Sequence, residues 1–311
     1  MNNQHPPDFS IVIPVFDSTT TLNILVKEIT NVFAKLRKTY ELIFVDDGSI
    51  EPKTWPILLR LHRENKCIKL IQLWYSHGQH KAVLAGLLYA KGAYAVTMDD
   101  DLQHPPKDIK ILIRAIEKTN ADVVIGIPAT RYGIHSVVQN IGSFLFHRID
   151  GIIFQKPKGI RRGSFRIIKR DLYEELPIIA NNNPVLGSLI FTMTRSIVNV
   201  EITPRKRNKG SSGYNFFELV NLALDSILNY STLPLRIIAV IGIFYFLFSI
   251  AVSVWIIYEQ RIESWRSLTF IQLSSVGFIM AGIAIIGEYL MRVIKNVSSQ
   301  PLKIMIRRKY L

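Results

Sequence analysis

The chain has almost no cysteine, no glycine signature of the common nucleotide-binding loops and, in its last third, long stretches without charge. Cys67 is the only cysteine in 311 residues. That excludes an intramolecular disulfide and fits a reducing compartment; lying just before an apolar run, it reads as core packing. Met1 to Asp8 is polar and lacks an apolar h-region, so no secretory signal peptide is expected. No G-x-G-x-x-G follows the first apolar run, which argues against a dinucleotide cofactor, and no G-x-x-x-x-G-K-[ST] occurs, which excludes a P-loop NTPase. Acid is also scarce. Lys and Arg number 38 against 24 Asp and Glu, a net charge of +14, and such a surplus suits nucleic acid, anionic lipid headgroups or phosphorylated substrates.

The acid that is present is concentrated. Asp99-Asp100-Asp101-Leu102-Gln103-His104-Pro105-Pro106 follows the short apolar run Ala95 to Met98. Carboxylates at the carboxyl end of a strand face the crevice where open α/β sheets bind ligands. Three adjacent carboxylates repel one another, and a divalent cation bridging them to a diphosphate relieves that. The plain alternative is a solvated acidic turn capping the next helix.

Hydrophobic residues make up 49% of the chain, high for a purely soluble protein. Ile237 to Tyr258 and Leu268 to Gly287 contain no charged residue; each is about 20 residues, the length that spans a bilayer as a helix. Trp255, Tyr258 and Trp265 near the connection resemble an interfacial belt. Gly242, Gly277, Gly282 and Gly287 suit close helix packing, including packing between subunits of a homo-oligomer. Arg292, Lys295, Lys303, Arg307, Arg308 and Lys309 follow the second stretch, and the positive-inside rule puts them, with the N-terminal domain, in the cytoplasm. The expected organisation is a catalytic α/β domain over 1–214, a juxtamembrane amphipathic helix over 215–233, two transmembrane helices within 234–295 and a basic tail over 296–311.

Within the first domain apolar runs of strand length alternate with helical periodicity. Strands are expected at Phe9–Val15, Tyr40–Val45, Ile68–Leu73, Ala95–Met98 and Asp122–Ile127, with helices over 19–37, 52–64, 79–90 and 106–118. Further strands are expected over 163–168 and 195–202. Strict alternation implies a mostly parallel sheet with helices on both faces. The loop 14–18, the pair Asp46-Asp47 and the run Asp99 to Asp101 then share one edge. Arg205 to Gly213, basic and rich in Gly and Ser, reads as a mobile loop.

Six motifs occur in order: Ile11-Val12-Ile13-Pro14-Val15, Phe44-Val45-Asp46-Asp47-Gly48-Ser49, Gly78-Gln79-His80-Lys81-Ala82, Asp99 to Pro106, Gly163-Ser164-Phe165-Arg166, and Arg207-x-x-Gly210-x-Ser212-x-Tyr214. With two apolar stretches behind them, they resemble the family-2 glycosyltransferases of GT-A fold, and in particular the dolichol-phosphate mannose synthase-like branch that moves a sugar from a nucleotide sugar to a polyprenyl phosphate. The resemblance implies nucleotide contacts at Pro14, Val15, Asp46, Asp47, Asp99 and Gln103. It implies Mg²⁺ or Mn²⁺ at Asp99, Asp101 and Gln103, and acceptor-phosphate contacts at Arg131, Ser143, Arg207 and Lys209, with Asp101, Arg131 and Arg207 central to catalysis. It implies no nucleic-acid partner. Departures stand at Phe16-Asp17-Ser18, where relatives carry Tyr-Asn-Glu, at Gln139 and Gly213 in place of basic residues, and at Ser164 in place of an Asp.

A phosphate acceptor is anionic already, so a strong general base is less needed than for a sugar hydroxyl. The task is to bring two anions together, by a metal on the donor and arginines on the acceptor. The reading is an inverting hexosyltransferase of the bacterial inner membrane. Its best donor is UDP-glucose, and its products serve cell-envelope glycans such as lipopolysaccharide. Two alternatives remain: a processive polysaccharide synthase, whose usual Gln-x-x-Arg-Trp motif is not in the sequence, and a non-catalytic membrane scaffold retaining the fold.

Overall fold

A computed structural model of the chain describes residues 6–129, 157, 159–180, 184–203 and 302–311, with scattered helical positions between 241 and 293. The chain divides into two units, Met1–Ser212 with Gln300–Leu311, and Gly213–Ser299.

In the first unit the elements follow as β1 (Phe9–Val15), α1 (Leu22–Leu36), β2 (Tyr40–Asp46), α2 (Thr54–Glu64), β3 (Ile68–Leu73), α3 (Gln79–Leu87) and β4 (Tyr94–Thr97). After a 3₁₀ turn at Pro106–Asp108 come α4 (Ile109–Thr119), β5 (Val123–Pro128), β6 (Arg166–Lys169), α5 (Arg170–Tyr173), α6 (Leu186–Met193) and β7 (Ile197–Ile202), and finally β8 (Ile306–Tyr310). Every residue of β1 is buried, as expected of a strand covered on both faces. In α1, Leu22, Leu25, Val26, Ile29 and Phe33 form the buried stripe, the spacing of one helical face. Arg37, at φ 54°, ends the helix in the left-handed conformation.

The eight strands form one sheet in the order β7-β5-β6-β4-β1-β2-β3-β8. β1 pairs in parallel with both β2 and β4. The chain therefore runs outward through β2 and β3, then returns to the other side of β1, which puts the topological switch point between the carboxyl ends of β1 and β4. The sheet is mixed: β6 runs antiparallel to β4 and β5, and β8 antiparallel to β3.

β8 corrects the expectation of a separate basic tail. Residues 306–310 are the outer strand of the catalytic sheet, with Arg307 over the Trp74 ring at 5.3 Å and Lys309 over the Tyr89 ring at 5.2 Å. Such charge density hides the strand in the sequence, yet it is what edge strands carry to discourage further pairing.

Two close approaches fix the helix–sheet spacing. A Cβ on Gly86 of α3 would fall 2.3 Å from Val12 Cγ1 and 2.9 Å from Val45 Cγ2. Gly86→Ala is therefore expected to destabilise the fold by about 1–3 kcal/mol through overpacking, seen as a lowered Tm in thermal unfolding. Beneath the sheet's far end, Glu41 is buried and fully engaged: Lys69 Nζ lies 2.5 Å from Oε2, and Ser10 Oγ and the Lys91 N–H donate to Oε1 at 2.5 and 2.6 Å.

In the second unit the described positions are helical. Among the described residues no helix is long and apolar enough to cross a membrane. The expected helix over 215–233 and most of the two expected spans lie outside the described residues.

Candidate active site

Three chain segments meet where β1 and β4 end. The loop after β1 is tied to the loop after β2: Asp17 Oδ1 accepts the N–H of Ile50 at 2.7 Å and of Glu51 at 2.8 Å, while its own N–H donates to Ser49 Oγ at 3.0 Å. The same loop reaches the acidic run, where Ser18 Oγ donates to Asp100 Oδ2 at 2.5 Å. The third segment leads into β6. Because β6 runs antiparallel to β4 with Arg166 opposite Thr97, its entry lies beside the exit of β4. Thr97 Oγ1 donates to the Ser164 carbonyl at 2.7 Å, and Ser164 Oγ donates to Asp99 Oδ2 at 2.7 Å. Gln79, the first residue of α3, donates through Nε2 to Asp99 Oδ1.

The carboxylates of the run differ in circumstance. Asp99 is held on both oxygens. Asp100 is pushed up to about 6, by burial first, against the Ser18 hydrogen bond, and further by the charges of Asp101 and Asp99. Asp101 is exposed and accepts the Gln103 N–H at 3.0 Å on Oδ1. Among the described residues no three His, Cys, Asp or Glu side chains converge as a ready-made metal cage. The donor set fits a hard divalent cation that takes one or two carboxylates from the protein and the rest of its oxygens from a diphosphate. Of the carboxylates in the run, Asp101 is the accessible one, while Asp99 is oriented by Gln79 and Ser164.

The ionisation of Asp100 carries a pH prediction. Its folded value lies above its unfolded one, so the folded state binds more protons between about pH 4 and 6, and stability falls as pH rises through that window. Asp100→Asn is expected to raise Tm at pH 7.5 in chelator, with the gain vanishing near pH 4. Thermal unfolding at the two pH values checks it.

Pro14 and Val15 sit buried at the end of β1. Asp46 is 0% exposed, its oxygens accepting the Ser49 N–H at 3.0 Å and Gln72 Nε2 at 3.1 Å. Asp47, also expected as a nucleotide contact, is engaged within the fold. It is 4% exposed, and its carboxylate accepts Ser76 Oγ at 2.8 Å, the His77 N–H at 2.8 Å and the Gly78 N–H at 2.9 Å. It anchors the loop that delivers Gln79 to Asp99. Gly48 makes this possible: at φ 67° its missing Cβ would fall 2.4 Å from the Tyr75 carbonyl carbon.

Beside Asp99 a cavity of about 260 Å³ opens between α3, β4, the entry to β6 and α6. His80 lines it and is held down to about 4, by burial first and then by Arg166 and Arg162, so it is neutral there. His104 stacks on Phe165 at 5.3 Å, and burial lowers it too. Arg166 is pushed down to about 10 by burial, with Asp99 opposing and Arg162 adding to the shift. The loop 14–18 was expected at this edge and Ser18 meets Asp100 there; the motifs holding Gln79 and Arg166 were recognised without assigning either residue, and Arg162 was not anticipated. Arg131, Ser143, Arg207, Lys209, Gln139 and Gly213 lie outside the described residues.

A mostly parallel mixed sheet with an acidic run at its switch point, faced by an antiparallel strand, is a GT-A-like α/β fold. The model of glycosyl transferase family 2 matches residues 10–177, and the chain belongs to that family: it is a glycosyltransferase. It is 28% identical over 303 residues, 94% of this chain and 91% of the relative, to undecaprenyl-phosphate 4-deoxy-4-formamido-L-arabinose transferase of Serratia proteamaculans. It is 27% identical over 310 residues, 97% and 94% of the two chains, to the uncharacterized glycosyltransferase YkcC of Bacillus subtilis. Among solved structures, glucosyl-3-phosphoglycerate synthase of Mycobacterium tuberculosis, in complex with Mn²⁺ and UDP-glucose, shares the fold at a TM-score of 0.50 and 16% identity, over 71% of this chain and 77% of that one.

Proposed function

We propose that the chain transfers a hexose from a nucleotide-diphosphate sugar, best UDP-glucose, to a polyprenyl phosphate at the cytoplasmic face of the inner membrane. The observation that carries the reading is the acidic run at the switch point, with Asp99 oriented on both oxygens and Asp101 left accessible. Similarity along nearly the whole chain to an undecaprenyl-phosphate sugar transferase supports the lipid acceptor, and a fold neighbour holding Mn²⁺ with UDP-glucose supports the donor and metal.

The membrane assignment has two supports. In the second unit Ile241, Phe244 and Phe248, and Ile279, Ile283, Ile286, Leu290 and Val293, are exposed at helical spacing. An outward apolar stripe is the reverse of a soluble helix and suits lipid. Moreover β7 and β8 belong to one sheet, so a membrane segment between residues 213 and 299 crosses an even number of times. Two spans with the catalytic domain and both termini cytoplasmic satisfy this.

In the proposed reaction Asp101, with Asp99 and Gln103, would hold Mg²⁺ or Mn²⁺, which would supply positive charge to the donor diphosphate. Ser164 and Gln79 keep the Asp99 carboxylate in register. Arg131, Ser143, Arg207 and Lys209 bind the acceptor phosphate, whose oxygen attacks the anomeric carbon in line while the nucleoside diphosphate leaves. The α-linked donor then gives a β-linked lipid phosphate sugar. Proton NMR of the product is expected to give the β coupling; an α product overturns the single-displacement mechanism.

A further inference from the structure

The cavity beside Asp99 is lined by two guanidinium groups and one carboxylate. Arg166 is 4% exposed, and its Nη1 has no hydrogen-bond partner among the described residues. Its Nε donates to the Ser164 carbonyl at 3.3 Å. A second guanidinium, Arg162, lines the same cavity and lies over the Phe191 ring at 5.3 Å. The one carboxylate in the lining, Asp99, already accepts from Gln79 and Ser164. A purely structural arginine this deep would have its donors matched inside the fold, because a buried charge with an idle donor is costly. The unmatched atom is buried beside Gly187, where a Cβ would make ordinary contact with Arg162 Cδ at 3.8 Å and Arg166 Nη1 at 3.9 Å. The remaining walls are largely aliphatic, which strengthens a charged contact at the base by excluding water.

We propose that this cavity is a second anion subsite, in which Arg166 and Arg162 receive an oxyanion carried by a reactant other than the donor diphosphate. The chemistry is that of a carboxylate or phosphate monoester, which a guanidinium meets with paired hydrogen bonds. Two sources offer it, a carboxylate on the transferred sugar and the phosphate of the lipid acceptor. The inference rests on the glycosyl-transfer reading above, and it makes Arg166 a substrate-binding residue that selects between charged and neutral forms of one reactant.

The test is equilibrium binding to the full-length protein in detergent, using two matched pairs of probes: UDP-glucuronic acid against UDP-glucose, and farnesyl phosphate against farnesol. In the wild type, at least one anionic probe is expected to bind about ten-fold or more tighter than its neutral partner, the scale of a charge-assisted hydrogen bond. Arg166→Gln is expected to cut that preference to under about two-fold while UDP affinity is kept. Gly187→Val, which adds bulk against Arg162 and Arg166 without removing a buried charge, is expected to do the same and covers the case in which Arg166→Gln fails to fold. The pair that responds identifies the source. No anionic preference in either pair, or a preference that survives in both variants, overturns the subsite; with UDP binding intact, either result leaves glycosyl transfer standing. A wild type that binds no nucleotide removes the underlying reading as well.

Discussion

Asp101→Ala is expected to lower kcat/KM by roughly 10³-fold or more, a loss of about 4 kcal/mol of transition-state stabilisation, with Tm nearly unchanged. Asp101 is exposed and accepts the Gln103 N–H two residues on. Removing the side chain therefore costs the fold little. The loss falls on the metal–diphosphate contact, so Mg²⁺- or Mn²⁺-dependent nucleotide binding should disappear in parallel. Titration calorimetry with UDP, with and without metal, separates the cases. If metal-dependent binding persists in Asp101→Ala, this carboxylate is not the metal's anchor. If the wild type binds nucleotide without metal dependence, the electrostatic account of the acidic run fails.

Asp47→Ala is expected to damage both fold and site. Three donors, the Ser76 hydroxyl and the His77 and Gly78 amides, lose their acceptor inside the protein. Leaving buried donors unmatched costs about 1–3 kcal/mol each, and with partial relaxation a total near 3 kcal/mol is expected, about 5–10 °C in Tm. The same loop starts α3 and fixes Gln79 on Asp99, so donor affinity should fall as well. Asp47→Asn, isosteric but with one acceptor oxygen, should recover part of the stability at most. A nucleotide contact made by Asp47 itself would instead give weakened binding with an unchanged Tm, and differential scanning calorimetry beside binding decides between them.

The fold was legible where strands are buried on both faces. Phe9–Val15 and Ile68–Leu73 were expected at the bounds observed, because nothing but an apolar run satisfies such a position. Of the antiparallel strands, β6 was anticipated as a strand over 163–168 but not in its direction, and β8 was read as a tail. β6 carries Arg and Lys at its ends, and β8 reads Ile-Arg-Arg-Lys-Tyr; in neither does the local pattern specify a distant partner strand or its direction. The acidic run was legible by type and place. What the sequence could not tell was how its carboxylates are divided. Asp100 is bonded from Ser18 and Asp99 from Gln79 and Ser164, contacts made across 20 to 82 positions of chain. Asp46 and Asp47 looked alike as neighbours, yet alternate strand geometry turns one toward Gln72 and the other into the loop at 76–78.

The most direct measurement offers purified protein a panel of nucleotide sugars with Mg²⁺ or Mn²⁺ and three acceptors: a polyprenyl phosphate, the corresponding polyprenol and a free oligosaccharide. Radiolabelled sugar is followed into the lipid phase, and released nucleotide is counted. The account predicts one labelled sugar per polyprenyl phosphate, with nucleoside diphosphate released in equal amount, and no transfer to the polyprenol or the oligosaccharide. Repeated addition to the oligosaccharide, or equal transfer to polyprenol and polyprenyl phosphate, would contradict it.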